Sequence, residues 1–522
     1  MSEDIALSYD VVPYESDTHK ITRPDHLATI AHLFGVAAPD FRKARVLELG
    51  CAGGGNLVPM AAIFPESQFV GIDLSAGHID DAQKLSSAIG LTNTDFRCLS
   101  ISDVDASFGT FDYIIAHGVY AWVPEEVRSE IFAICNNHLT PNGLAYISYN
   151  TLPGWNMIKT VRDMMIYHAE QFDEPQRKIH EARQVIQFAA KNSVASDPIY
   201  KQMLEREVKT LSEGSDDYVF HDHLAKINSP SYFRDFMETA AAEGLQYLGD
   251  CNLASMYLGN FSEQARNILG EITDIVRQEQ YLDFLTNRRF RQTILCRAGV
   301  PIDRGITPDR LESLYFTTQL RPIQGIESVD LSVDAPTEFR HPTASTYFTS
   351  SNRVIVTAFC VLAEQHGLPL CLEDLVTKIC ERLVDVPNEA ARESFLKNTL
   401  NLMLSGMLDV GSDPGCHTAK ISDRPEVWPY ARYLARVKSY IPNVLHEADQ
   451  LGDDFRAMLP YADGTRTHDE ITNDLMTHFL DGRLSFHLDG NPITEKKTLA
   501  EPLKNHVQAM LKFLAARAYL VG

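Results

Sequence analysis

The sequence predicts an α/β protein: a mostly parallel, buried sheet wrapped by helices, with mainly helical accessory regions behind it. Three observations carry that expectation. Short apolar runs alternate with amphipathic stretches across the first 150 residues. The spacing is that of strand–helix–strand units. The first run ends in a cluster of glycines, the turn such a sheet uses where its backbone approaches a ligand.

Taken in order, Arg45–Leu49 is the run that ends in glycines, and Gln68–Asp73, 95–99 and Phe111–Ala116 are the next three strands. The turn Pro141-Asn142-Gly143 leads into a fifth at 143–149, and 76–89 and 124–138 are amphipathic helices between strands. From 157 to 211 the pattern is helical and polar, with no strand signal. Ser229-Pro230 opens a further helix that stops at Gly244, and 245–248 and 290–296 are extended runs that would complete the first sheet. The expected organisation is therefore a Rossmann-like domain at 1–156, a helical insertion at 157–215 and a sheet-completing segment at 216–300. An accessory domain at 301–410 follows, in which 353–408 reads as a small winged-helix-like unit, and then a C-terminal domain at 411–522. A chain of 522 residues is too long for one core, so several domains are expected.

Composition excludes several classes. No apolar run reaches membrane-spanning length, so membrane insertion is not expected. The start, Met1-Ser2-Glu3-Asp4-Ile5, is acidic and lacks the basic and apolar regions of a signal peptide, which suggests a cytoplasmic home. The nine cysteines are scattered singly without a CxxC pair, against both a disulfide framework and a zinc site. His221-Asp222-His223 is a cluster of ligand types, but no further ligand flanks it at metal spacing, so no metal is expected. A net charge of −23 would repel nucleic acid, despite the local strip Arg288-Arg289-Phe290-Arg291. That acidity suits an enzyme, or one with a cationic target such as a lysine-bearing protein.

The residues that carry chemistry cluster around the glycine turn. Gly50, Ala52 and Gly54 sit at alternating positions directly after the first strand, where small residues admit a ligand. Asp73 ends the second strand, placed to accept both hydrogen bonds of a ribose diol; its plain structural reading is a helix N-cap. Glu48 precedes the glycines inside the strand. A dinucleotide site presents a helix terminus to a pyrophosphate, whereas an acid at the strand end suits a cationic ligand. S-adenosylmethionine, with an ammonium and a sulfonium, is such a ligand. A buried structural glutamate is the alternative, costly if unpaired.

At these residues the chain resembles the class I S-adenosylmethionine-dependent methyltransferases. It looks most like the bacterial branch with a methyltransferase regulatory domain, which includes protein-lysine methyltransferases acting on an outer-membrane protein. The resemblance rests on Tyr9-Asp10-Val11-Val12-Pro13-Tyr14-Glu15-Ser16, Pro24-Asp25-His26-Leu27, and the stretch from Val46 to Asn56. It continues in Ile114-Ile115-Ala116-His117-Gly118-Val119-Tyr120-Ala121-Trp122-Val123-Pro124 and Ser148-Tyr149-Asn150-Thr151-Leu152-Pro153-Gly154-Trp155. Gly244-Leu245-Gln246-Tyr247-Leu248-Gly249, Asn287-Arg288-Arg289-Phe290-Arg291-Gln292-Thr293 and Pro460-Tyr461-Ala462-Asp463-Gly464-Thr465-Arg466 extend it over most of the chain.

The resemblance implies S-adenosylmethionine as cofactor, held by Tyr14, Glu48, Gly50, Cys51, Ala52, Gly54, Asn56, Asp73, Leu74, Ser100, Ile101 and His117. Glu48, Gly50 and Ala52 would surround the methionine portion, Asp73 the ribose, Ser100 and Ile101 the adenine, with His117 beneath the sulfonium. Two positions depart from the pattern. Ala52 stands where a second glycine is commoner, and Ser100 where many relatives carry an aspartate, leaving adenine to backbone groups or to Asp103.

On the substrate side, His117, Tyr120, Trp122, Tyr149, Asn150 and Trp155 follow the fourth and fifth strands, at the carboxyl edge where such sheets seat substrates. Aromatic and carbonyl groups there would orient an amine; core packing is their plain alternative. The resulting expectation is N-methylation of protein lysine, by a protein partner's docking and with a homodimer as the assembly. Methylation of a small molecule, or a silent donor-binding scaffold, are the rival readings.

Overall fold

In chain order the first layer contains α1 (Pro24–Leu33), β1 (Arg45–Leu49), α2 (Leu57–Ile63), β2 (Gln68–Asp73), α3 (Ala76–Ala88), β3 (Thr94–Cys98), β4 (Phe111–Ala116), α4 (Glu125–His138) and β5 (Leu139–Asn150). Every residue of β1 after Arg45 is buried, as a strand covered on both faces requires. A helical insertion follows, made of α5 (Trp155–Ala169), α6 (Pro175–Asn192) and α7 (Pro198–Glu213). The chain then returns through α8 (Phe233–Ala242), β6 (Leu245–Asp250), α9 (Ile275–Thr286) and β7 (Phe290–Arg297). This computed structural model describes residues 11–12, 14–194, 198–342, 344–485, 487–488, 491–492 and 496–521. Met1-Ser2-Glu3-Asp4-Ile5, and Tyr9, Asp10 and Pro13 of the amino-terminal motif, lie outside the described residues.

The main sheet has seven strands in the order β3-β2-β1-β4-β5-β7-β6. The first five are parallel to their neighbours, and β7 and β6 extend the β5 edge as antiparallel strands. The late runs thus do complete the first sheet. Pro141-Asn142-Gly143 does not precede the fifth strand as the turn reading expected; it lies within β5. Phe111 pairs with Leu139 and Tyr113 with Leu144, so the extra residues are taken up as a bulge within β5.

Alternation of side chains along the strands divides the core in two. Val46, Phe69, Tyr113, Tyr146 and Ile294 pack with α1, α2 and α3, and also with C-terminal residues such as Tyr430, Leu434 and Tyr519. Leu47, Ile72, Ile114, Ile147 and Tyr149 pack on the other face with α4 and α8. The insertion holds its own cluster, including Val161, Met165, Ile186 and Leu204.

Beyond the sheet, Tyr315–Thr317, Leu370–Cys371 and Asp409–Gly411 form a small antiparallel sheet beside three helices, α10 (Arg353–Glu364), α11 (Leu372–Arg382) and α12 (Asn388–Leu404). The C-terminal region contains α13 (Pro429–Leu434), α14 (His468–Leu480) and α15 (Lys496–Ala516). Among the described residues no helix is long and apolar enough to cross a membrane.

The basic strip of the sequence is consumed inside the fold. Arg291 is fully buried on β7; its Nε donates to Asp283 Oδ2 at 2.8 Å and its Nη2 to Glu279 Oε2 at 3.0 Å. Arg288 pairs with Asp283 at 2.9 Å and Asp250 at 3.3 Å, and Arg289 with Glu207 at 3.4 Å. Arg288 and Arg291 fasten the antiparallel edge to α9, and Arg289 ties it to α7. Removing one partner of such a network strands the others without water. Arg291→Ala is therefore expected to lower the unfolding free energy by about 3–5 kcal/mol, read by urea denaturation; a loss below about 1 kcal/mol would contradict the structural role given to this network.

Candidate functional site

The site forms where β1 and β4 end, at the point where strand order reverses, so that the chain leaves the two strands in opposite directions and opens a crevice. After β1 the backbone turns sharply: the Gly50 and Cys51 amides both donate to Ile72 O, at 2.9 and 3.0 Å. Gly50 has φ +72°, and a Cβ on it would lie 2.6 Å from Val119 Cγ2, so conformation and space both demand glycine. Ala52 adopts φ 45°, a left-handed conformation that costs an alanine about 1 kcal/mol. The substitution noted in the sequence is thus tolerated under strain.

Asp73 braces this turn. Its Oδ2 accepts from the Ala52 amide at 3.0 Å and its Oδ1 from the Ser75 amide at 2.9 Å. The N-cap of α3 is Ser75, whose side chain accepts from the His78 amide, so Asp73 is not the cap.

Glu48 lies beneath the turn, 3% exposed, on the face of the sheet shared with Val46. Asn56 Nδ2 donates to its Oε1 at 2.7 Å, while Oε2 has no hydrogen-bond partner among the described residues. Burial pushes its pKa up to about 8; the Asn56 bond pulls it down and Asp73 adds a small upward push. A buried carboxyl oxygen left without a partner is expensive unless something else supplies one. Asn56 is itself held, its Oδ1 accepting from the His19 amide and the Thr22 hydroxyl, both at 3.1 Å.

His117 follows β4. Its Nδ1 is 2.8 Å from the Tyr146 hydroxyl and 3.3 Å from Ser148 Oγ, which in turn accepts from the Gly118 amide at 2.8 Å. The His19 ring lies against it, centroids 3.8 Å apart. Burial, with a smaller contribution from His19, holds His117 well below its ordinary pKa, and the imidazole is neutral near pH 7. Phe290 of β7 stands edge-on to the same ring at 6.2 Å.

With this geometry in view, the comparisons with known proteins are direct. Residues 46–143 match a family described as a methyltransferase domain, 215–297 a predicted methyltransferase regulatory domain, and 423–519 the C-terminal winged helix domain of PKMT. An uncharacterised protein of Rickettsia prowazekii is 36% identical over 518 residues, covering 98% of this chain and 93% of the relative. Another from that organism is 41% identical over 242 residues, 46% of this chain and 97% of its own length. The solved structure of PKMT2 from Rickettsia typhi in complex with AdoHcy superposes with a TM-score of 0.90 at 34% identity, covering 98% of this chain and all of that one (100%).

The chain belongs to the PKMT family of S-adenosylmethionine-dependent methyltransferases.

Within this methyltransferase the expected donor residues fall into two groups. Glu48, Gly50, Cys51, Ala52, Gly54, Asn56 and Asp73 are together in and under the turn. Cys51 is buried and its thiol is held well above its ordinary pKa by that burial, with further pushes from Asp73 and Glu48. Leu74 is half-buried, and its carbonyl accepts from Cys98 Sγ at 3.5 Å. Ser100 and Asp103 occupy each other: Ser100 Oγ accepts from the Ser102 amide at 3.3 Å and Asp103 Oδ2 from the Ser100 amide at 3.0 Å, capping the short turn that holds Ile101. Tyr14 is exposed and meets the His221 ring edge-on at 5.7 Å; Ser16 is the arm residue that reaches the turn, where its Oγ accepts from the Gly55 amide at 2.8 Å.

On the acceptor side the structure separates the candidates. His117 and Asn150 share a face with Glu48, and Asn150 is 3% exposed, its Nδ2 without a partner among the described residues. Tyr120 and Tyr149 are corrected: they are core residues of the opposite face. Tyr149 stacks on Phe236 at 4.0 Å, and Tyr120 meets Phe132 and Phe236 at 5.3 and 5.1 Å. Strand alternation is the reason, since Tyr149 lies between Ser148 and Asn150 and points away from both. Trp122 is edge-on to Trp155 at 6.3 Å, and the cation over it, at 5.4 Å, is the chain's own Arg162. Trp155 Nε1 donates to Asn228 Oδ1 at 2.7 Å, a packing role. His221, Asp222 and His223 form a buried turn in which His221 Nε2 lies 2.6 Å from Val12 O. Among the described residues no group of three or more His, Cys, Asp or Glu is arranged to hold a metal.

Sequence reasoning missed Tyr146, Ser148, Ser16 and His19. Period-two alternation from Asn150 would have found the first two; the arm residues carried no local signal.

The raised pKa of Glu48 has a consequence for stability. The folded state keeps the carboxyl protonated between its ordinary value, 4.5, and about 8, whereas the unfolded state does not. The native state then binds more protons, so this contribution is full below pH 4.5 and is lost as pH rises towards 8. Donor-free wild type is expected to lose stability from pH 6 to 7.5 more steeply than Glu48→Gln, by on the order of 1 kcal/mol per pH unit. Chemical denaturation of both proteins reads the difference, and parallel pH profiles would overturn it.

Proposed function

We propose that this methyltransferase transfers the methyl group to the ε-nitrogen of lysine in a protein. The observation that carries the reading is a groove of about 790 Å³ at the carboxyl edge of the sheet. It is lined by Asn252, Asn260, Phe261, Arg289, Phe290 and Gln292, and it borders His117 through Phe290. Open to solvent and lined by both polar side chains and Phe261 and Phe290, it suits a side chain presented by a polypeptide better than a small molecule, which an enclosed apolar pocket would hold. The strong likeness to PKMT2 over the whole chain supports the same class of acceptor.

The residues present fit S-adenosylmethionine. Glu48 offers the cationic methionine portion a buried carboxyl oxygen with no partner among the described residues, Gly50 lets the backbone turn at the strand's end, and each Asp73 oxygen accepts one backbone amide and retains a lone pair for the ribose. Bound there, the cofactor supplies a methyl group on a sulfonium leaving group. The chain's own part is positioning and charge. A neutral His117 places no cation against a sulfonium, and its Nδ1 is held by Tyr146 and Ser148. Asn150 presents a carboxamide to an incoming amine without a charge that would keep the amine protonated. The proton of the lysine ammonium leaves to water through the open groove, so no general base is assigned. Holding the two reactants in line is where most of the rate would come from.

Purified protein incubated with methyl-labelled donor and a bacterial lysate is expected to label protein, with the label recovered as ε-N-methyllysine after acid hydrolysis. Label found only in small molecules would overturn the lysine assignment, and donor binding without transfer would favour a silent scaffold. For the donor site, Asp73→Ala is expected to raise the Kd for S-adenosylhomocysteine about ten- to a hundredfold, the value of hydrogen bonds to a charged group. Unchanged affinity would sink the ribose assignment.

A further inference from the structure

The described contacts place an amino-terminal strap, residues 14–23, across the donor site and attach it at both ends. At one end the Glu15 amide donates to Asp217 Oδ2 at 3.0 Å, beside the Tyr14–His221 contact. In the middle, Ser16 caps the Gly55 amide, the His19 amide and Thr22 hydroxyl orient Asn56 on Glu48, and the His19 ring lies on His117. The other end is gripped by the C-terminal domain. Lys438 Nζ is 3.3 Å from Asp17 Oδ1, Lys20 Nζ is 3.4 Å from Glu447 Oε1, and the buried Arg23 donates from Nη1 to Val444 O at 2.9 Å.

The same domain reaches the glycine turn itself. Tyr430, 1% exposed at the start of α13, donates its hydroxyl to Gly55 O at 3.3 Å, across 375 residues of sequence. The Gly55 backbone is therefore held at both of its polar groups, its N–H by the strap and its carbonyl by the C-terminal domain. This is no loose domain contact: Tyr430 and Leu434 lie in one continuous core with Leu57, Val58 and Met60 of α2, the helix that the glycine turn opens.

We propose that the C-terminal domain is a working part of the methyl-donor site, with Tyr430, Lys438 and Glu447 as positioning residues that hold the Gly55 backbone and the 14–23 strap in the donor-binding arrangement. The proposal rests on the reading that the donor binds at the glycine turn. It gives the domain an intramolecular role: donor affinity depends on it, though none of its residues need touch the reacting atoms.

The test uses the full chain with Tyr430→Phe, Lys438→Glu, and Lys438→Glu combined with Asp17→Lys. Three quantities are read: the Kd for S-adenosylhomocysteine, the KM values for donor and acceptor, and hydrogen exchange of residues 14–23 in donor-free protein. Tyr430→Phe keeps the ring packed and is expected to raise Kd and the donor KM about fivefold, the value of one hydrogen bond, with the acceptor KM unchanged. Lys438→Glu is expected to raise both about threefold and to speed exchange of the strap, and the charge-swapped pair to restore both. Donor affinity equal to wild type in both single variants would overturn the proposal. So would weakened affinity with strap exchange unchanged and no rescue, since that pattern is general destabilisation. Failure of the wild type to bind S-adenosylhomocysteine would overturn the donor assignment beneath it, while strap exchange would still report whether the C-terminal grip exists.

Discussion

One carboxyl group, Glu48, sets the conditions for the rest of the molecule. It sits next to the last residue of β1, where the other buried residues are apolar, with one oxygen bound by Asn56 and the other without a partner among the described residues. Such an arrangement is unfavourable in isolation, and the fold tolerates it by keeping the group protonated. Much of the local structure serves to hold it there. Asn56 is fixed by two strap residues, the glycine turn is fixed by Asp73, and His117 opposite is kept uncharged by burial. A buried carboxyl with an open hydrogen-bonding oxygen is prepared for a cation, and on the proposed reading the methyl donor supplies it.

That preparation extends well beyond the sheet. The methyltransferase domain, the regulatory segment and the winged-helix domain are separate families in sequence. In the fold they converge on ten residues of strap, 14–23, and on the backbone of one residue, Gly55. The antiparallel edge supplied by the regulatory segment contributes Phe290 beside His117 and is fastened by buried ion pairs around Arg291. Accessory regions here shape the walls of the site.

How far this was legible in sequence follows from distance along the chain. Glu48, Gly50 and Asp73 could be read because a strand, a turn and the next strand's end are contiguous signals, and the late runs 245–248 and 290–296 could be joined to the sheet by their extended character. Tyr149 was misread by one position: the motif around it is correct, but a strand's faces alternate, and Asn150 and Ser148 are the residues turned to the site. The basic strip is a related case, because charge counted along sequence does not reveal that Asp283, Glu279 and Asp250 come back to meet it. His19, Ser16 and Tyr430 were invisible altogether, since their roles exist only where distant segments touch. In the accessory region the mostly helical stretch 353–408 suggested a winged-helix-like unit, whereas the winged-helix description matches 423–519.

The measurement that bears most directly on the account is proton release on ligand binding. If the ligand's α-ammonium, which S-adenosylhomocysteine shares with the donor, binds against Glu48, the carboxyl must ionise as the complex forms, and a proton must leave. Calorimetry of S-adenosylhomocysteine binding at pH 6.5, in buffers of different ionisation enthalpy, reads that proton. The account predicts release of about one proton by the wild type and close to none by Glu48→Gln. Identical proton release in the two proteins would contradict it.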